Sequence, residues 1–190
     1  MQIQILYTRD FQILYVPKKI PRHYRAVTEG CGQKLLSQIC RKIAVCMTII
    51  TKTININSKG ENDMVDLTTP TSEAIVETKL KDGIVTIFVA GSTAAITTIE
   101  YEPGLQADFP QMLSRIAPKN VHYAHDKTWH DGNGHSHVRA SLVGPSITIP
   151  FKNHNLMLGT WQQIVLIEMD TRKRERKIVL QIIGEYDSQL

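Results

Sequence analysis

The chain has 190 residues, 42% of them hydrophobic and 21% charged, with a formal net charge of +4 at pH 7. This usage fits one globular domain with its own core and excludes a collagenous, low-complexity or largely disordered protein. The positive charge is local: eight Lys and Arg stand against two acidic residues before Met47 and 14 against 16 after it, so the domain lacks the basic surplus of a nucleic-acid binder.

Residues 1–46 read as a basic N-terminal extension outside the fold, either a misplaced-start segment or a weakly ordered appendage, and residues 47–190 as the domain. Arg9, Asp10, Lys18 and Lys19 interrupt the apolar pieces of the extension, leaving no membrane-spanning stretch of about twenty residues. Cys31, Cys40 and Cys46 all precede Met47. A disulfide framework is therefore not expected in the domain, a reducing, cytoplasmic setting fits, and any metal there must take His, carboxylate or carbonyl ligands.

In chain order, the β-branched run 48–57 predicts a strand, and 58–63 a turn. Thr68, Thr69 and Pro70 offer helix-start chemistry for a helix over 72–79, closed by Asp82 and Gly83. A buried strand over 84–90 follows. The small residues 91–95 form a turn into a second strand over 96–102, which ends at Pro103-Gly104. Leu105, Phe109, Met112, Leu113 and Ile116 have helical spacing, with Pro118 as the stop. Strands are expected at 138–142, 146–150, 159–169 and 178–184, with a hairpin turn at 170–173 before the last.

The polar, aromatic, glycine-punctuated segment between His122 and His137 holds five of the seven histidines. Neutral imidazole is the commonest zinc ligand, and three histidines with an open fourth position form the usual catalytic zinc geometry. In an extended segment His135 and His137 project from one face, shared with Arg139, and His125 reaches them across the loop. His125, His135 and His137 are therefore the metal candidates, while His122, His130 and His154 fit ordinary hydrogen bonding in loops. Asp131 and Asn133 suit either ring orientation or turn formation.

The turn Gly91-Ser92-Thr93-Ala94-Ala95 suits an anion cradle, with Ser92 and Thr93 as donors, or simple tight packing. Alternation puts Gln162 and Glu168 on one strand face, where Gln162 could fix substrate and Glu168 act as general base or as an acceptor behind the reacting groups. The competing reading is an edge position in solvent. Glu100 is weighed in the same way, and the run 172–177 reads as a solvated hairpin.

The runs Gly91-Ser-Thr-Ala-Ala-Ile-Thr-Thr-Ile-Glu-Tyr-Glu-Pro-Gly-Leu105, Asp131-Gly-Asn-Gly-His-Ser-His-Val-Arg-Ala140 and Leu158-Gly-Thr-Trp-Gln-Gln163 together resemble the YjbQ family from about Thr48 to Glu185, supported by Leu142-Val-Gly-Pro-Ser146 and Gly184-Glu185. The resemblance implies an α+β domain, a mixed or antiparallel β-sandwich with a few short helices, assembled as a homotrimer around a histidine metal site. It also implies a weak secondary thiamine-phosphate synthase activity, a metal-assisted transfer on a small phosphorylated molecule. On this chain the metal, zinc or magnesium with a diphosphate substrate, would rest on His125, His135 and His137. Glu168, Gln162 and Arg139 would serve catalysis, and Ser92, Thr93 and Asn133 substrate binding. Many relatives have His-Thr-Thr or His-Thr-Ser where this chain has Gly91-Ser92-Thr93, so one family histidine is missing here, and either His135 compensates for it or the site binds metal more weakly than in other members. The alternative is a non-catalytic metal- and ligand-binding homotrimer. Nucleic acid and membranes are not expected as partners.

Overall fold

The computed structural model describes residues 3–7, 13–17 and 47–187. The chain divides into two compact units, Met1–Thr48 and Ile49–Leu190. In the first, β1 (Ile3–Tyr7) and β2 (Ile13–Pro17) pair as an antiparallel hairpin. The three cysteines and the rest of the expected extension lie outside the described residues.

The second unit holds β3 (Thr48–Asn57), β4 (Met64–Asp66), α1 (Thr68–Thr78), β5 (Asp82–Val89), β6 (Ala94–Ile99), α2 (Pro103–Ile116), α3 (Asp126–Trp129), α4 (Gly134–Val143), β7 (Ser146–Lys152), β8 (Asn155–Leu156), β9 (Gln163–Glu168) and β10 (Glu175–Glu185). This is the α+β architecture of antiparallel sheets with a few helices. One sheet has the order β3-β10-β5-β7-β8 and the other β4-β9-β6. The period of two along each strand decides what faces what. Val85, Ile87 and Val89 of β5 and Ile178, Leu180 and Ile182 of β10 turn inward against Ile96 of β6 and Ile164 and Leu166 of β9. Leu67, Ala74 and Ile75 close this core from the α1 side. The intervening residues Ala95, Val165 and Ile167 face a second core with Leu113 of α2 and Ala140 of α4. Strand β9 is thus buried on both faces, and each fully buried Ile or Leu there contributes roughly 1.5–3 kcal/mol.

Several boundaries differ from expectation for local reasons. Helix α1 starts at Thr68, whose N–H donates to Asp66 Oδ1 at 2.8 Å, and it ends on Lys79 in the left-handed conformation (φ 61°). Asp82 and Gly83, expected to close it, begin β5 instead. There Gly83 pairs with Gly184, and a Cβ on Gly83 would meet the Ile183 carbonyl at 2.2 Å and the Phe151 ring at 2.7 Å. Close backbone approach, not a turn, is what this glycine permits. The strand expected over 96–102 runs Ala94–Ile99, because Glu102 caps α2, its carboxylate accepting from the N–H groups of Gly104 and Leu105. The strand expected from residue 159 begins only at Gln163.

The largest correction is at residues 138–142, expected as a strand and found inside α4. Besides Gly134 at its start, His135, Ser136, Arg139 and Ala140 are its buried positions. That i, i+1, i+4, i+5 spacing is one face of a helix. Among the described residues no helix is long and apolar enough to cross a membrane.

Candidate functional site

The polar segment is organised around the first turn of α4. Asn133 precedes this helix without offering a side-chain cap. The first N–H, that of Gly134, donates instead to Asp126 Oδ1 of α3 at 3.0 Å. A Cβ on Gly134 would meet Tyr123 Cβ at 2.4 Å, so glycine lets the chain close down here. Drawing α3 onto α4 brings His125, just before α3, against His137: their ring centroids are 4.3 Å apart, inclined by 44°. Burial, followed by the charge of His125, holds His137 below the ordinary histidine value against the opposing pull of Asp131, Asp170 and Asp126. Both rings are partly buried.

His135 is not part of this pair. In a helix, residues two apart point about 200° away from one another. With α4 replacing the expected strand, His135 and Arg139 share one face and His137 another. The His135 ring is 1% exposed and its Nε2 lies 3.2 Å from Glu61 Oε1. Glu61 also accepts from Arg139 Nη1 at 3.0 Å and Lys119 Nζ at 2.6 Å, while Arg139 Nε donates to the Ala117 carbonyl at 3.0 Å. Burial alone would raise the Glu61 carboxyl, but Lys119, His135 and Arg139 hold it low. Burial pushes the His135 value down, with Arg139 and Lys119 acting the same way and Glu61 opposing. His135 and Arg139 are therefore committed to a clamp between the β3–β4 turn and α4, not to the neighbours of His137. Sequence reasoning missed Glu61, which carries no motif of its own.

The expected set of three imidazoles is thus two plus one. Among the described residues no three His, Cys, Asp or Glu side chains are gathered closely enough to hold a metal ion. The donor set on this chain does not fit a resident three-histidine zinc.

A second polar network lies where β9 meets β10. Glu168, fully buried, accepts from Arg176 Nε at 2.7 Å and Arg176 Nη2 at 2.5 Å, from Ser58 Oγ at 2.8 Å and from the Asp170 N–H at 2.8 Å. A carboxylate holding four donors has no lone pair free for base catalysis, so its role here is to fix Arg176. Arg176 Nη2 also donates to Thr93 Oγ1 at 2.8 Å, and Thr93 Oγ1 donates onward to Asp170 Oδ2 at 3.0 Å. Asp170 accepts from Arg174 Nε at 2.9 Å and the Arg172 N–H at 3.0 Å. Burial alone would raise the Asp170 carboxyl, but the Arg172 N–H, Arg174 and Thr93 hold it below the usual range.

The run 172–177 is therefore only in part a solvated hairpin. Arg176 is 6% exposed. Its parity with Ile178, Leu180 and Ile182 is the sequence signal that places it inside.

The remaining candidates separate. Gln162 is exposed and precedes β9; its amide oxygen accepts from the Gly159 N–H at 3.1 Å and its nitrogen donates to Thr98 Oγ1 at 2.9 Å. Six residues of extended chain put Gln162 roughly 20 Å from Glu168. Glu100 is exposed. Asn133 is buried and its Oδ1 has no hydrogen-bond partner among the described residues. Ser92 is exposed on the turn between β5 and β6, while the Thr93 hydroxyl is committed inward. His122 and His130 are exposed, and His154 Nδ1 lies 2.8 Å from the Leu80 carbonyl.

A family model described as "UPF0047 protein YjbQ-like" matches residues 52–185. A UPF0047 protein of Methanocaldococcus jannaschii is 39% identical over 131 residues, which cover 68% of this chain and 91% of that protein. A UPF0047 protein of Methanothermobacter thermautotrophicus is 33% identical over 144 residues, covering 76% and 99%. Among solved structures, a YbjQ-like protein of unknown function from Sulfolobus solfataricus P2 superimposes with a TM-score of 0.68 at 33% identity, covering 73% of this chain and 99% of its own. With one family model matching well over half of the sequence and its relatives matched over most of their length, the chain belongs to the UPF0047 YjbQ-like family.

Proposed function

We propose that the domain binds a small phosphorylated molecule beside the His125–His137 pair, with a weak transfer activity of the thiamine-phosphate synthase type as its chemistry. The observation that carries the reading is the pair itself. Two imidazoles at 4.3 Å, one of them held toward the neutral form, stand near Asp170, whose own partners lead to Arg176. Neutral imidazoles can take up a proton or donate a lone pair to a cation. In this reading His125 and His137 would hold a divalent cation, zinc or magnesium, only together with the phosphorylated molecule, and the cation would supply positive charge to a departing diphosphate. Such an arrangement suits departure of a diphosphate group. Cytoplasmic location and a homotrimer belong to the same proposal.

The second reading is a non-catalytic metal- and ligand-binding homotrimer, favoured by the separation of His135 from the pair. Two measurements decide. Zinc content after equilibrium dialysis is expected to fall in His137→Ala, and equal content in the variant and the parent protein overturns the cation role. Incubation with hydroxymethylpyrimidine diphosphate and thiazole phosphate tests the chemistry: thiamine phosphate formation that is lost in His137→Ala supports transfer, and none from the parent protein leaves the binding reading.

A further inference from the structure

We propose that the turn Gly91-Ser92-Thr93, backed by Arg176, is a seat for a phosphoryl group. The inference rests on the phosphorylated-ligand reading and names where that group docks. It starts from a buried guanidinium with one unused edge. Arg176 is 6% exposed; its Nε and Nη2 are taken by Glu168 and Thr93, while Nη1 makes no hydrogen bond among the described residues. Arginine does not lose its charge, so these N–H bonds always want an acceptor. The unused edge faces Gly91: a Cβ built there would lie 2.7 Å from Nη1. Any side chain at position 91 would occupy the approach that glycine leaves open.

The backbone points to the same occupant. Among the described residues the N–H groups of Gly91, Ser92 and Thr93 donate to no acceptor, although the flanking Ala90 N–H bonds the Lys177 carbonyl at 3.2 Å and the Thr93 carbonyl accepts from the Met169 N–H at 3.0 Å. Both ends of the turn are thus pinned while its middle donors remain free. Gly91 and Ser92 are exposed, so an incoming oxygen needs no rearrangement to reach them. Glu168 and Arg174 balance Arg176 and Asp170 in formal charge. The attraction is therefore local, from fixed donors and not from net charge. A tetrahedral phosphoryl group with three acceptor oxygens can meet an arginine edge, backbone N–H groups and the Ser92 hydroxyl at once.

Inorganic phosphate and diphosphate, titrated into the full chain in the presence of EDTA, test the seat without any cation. In the parent protein the amide resonances of Gly91, Ser92 and Thr93 and the Arg176 guanidinium resonance are expected to shift saturably. Gly91→Ala should weaken the fitted affinity about tenfold or more, and Ser92→Ala about threefold, both with native amide spectra elsewhere. Because EDTA keeps any cation out, binding under these conditions separates this seat from the cation reading. Absence of shifts in the turn at about 20 mM phosphate, far weaker than any useful affinity, overturns the inference, as does Gly91→Ala binding like the parent. Should thiazole phosphate bind the parent protein and Gly91→Ala equally well, the phosphorylated-ligand reading stands and the seat alone fails.

Discussion

Replacing Arg176 with methionine tests the network behind the turn. Glu168 is fully buried and receives both of its strongest bonds from Arg176, at 2.7 and 2.5 Å. Methionine fills much of the stem's volume but leaves the carboxylate with only Ser58 and the Asp170 N–H. Removing one partner of a buried ion pair costs about 3–5 kcal/mol, and the two surviving donors place the expectation near the lower end, about 3 kcal/mol. For a domain of this size that corresponds to a fall in melting temperature of roughly 10 °C. Urea unfolding followed by circular dichroism gives the free energy directly, provided the slope of the transition is unchanged. The double variant Glu168→Gln, Arg176→Met removes the stranded charge and should recover at least half of the loss. A single variant destabilised by less than about 1 kcal/mol, or a double variant as unstable as the single, refutes the assignment of Arg176 as the partner that makes a buried Glu168 tolerable.

Two further outcomes follow from the same geometry. Asp170 and Glu61 are both held below their ordinary values, so the stability they supply is complete above those values, near pH 4, and is lost as pH falls through the folded-state values. Melting temperature recorded from pH 7 to pH 2 should therefore drop steeply at the acid end, and Asp170→Asn should start lower yet lose less across that window; a parallel acid limb in the variant contradicts the linkage. Asp126→Ala removes the acceptor for the Gly134 N–H and should cost about 1 kcal/mol, the usual worth of a helix cap. It should also erase cross-peaks between the His125 and His137 rings in a nuclear Overhauser spectrum, and persistence of those cross-peaks would show that something other than Asp126 joins the two helices.

The sheets were legible because their residues alternate or are β-branched: the run from Thr48 and the apolar strands around Val85 and Ile178 all fall where the period of two puts them. The turn at residues 91–93 was legible from small residues between two apolar runs. Helix α4 was not, because His-Ser-His-Val alternates as a strand would, and its helical face is built from polar residues whose partner, Glu61, lies in a distant turn. That single misreading also predicted the wrong company for His135. Gln162 and Glu168 share strand parity, but parity carries no information about separation along the strand. Arg176 was hidden in a basic run, where charge outweighed its in-phase spacing with Ile178 and Leu180.

The burial of β9 on both sides has a consequence for how the strand finds its place. Ile164 and Leu166 serve one core, Val165 and Ile167 the other, and the two sets are nearly equal in size and greasiness. Shifting the strand by a single position would exchange them with little loss of buried apolar area, so oiliness alone leaves its alignment with β4 and β6 underdetermined. The carboxylate at the end of the strand does not tolerate that exchange, because a displaced Glu168 would enter an apolar core without its guanidinium. One charged residue thus acts as the detent that sets where six apolar-rich residues come to rest.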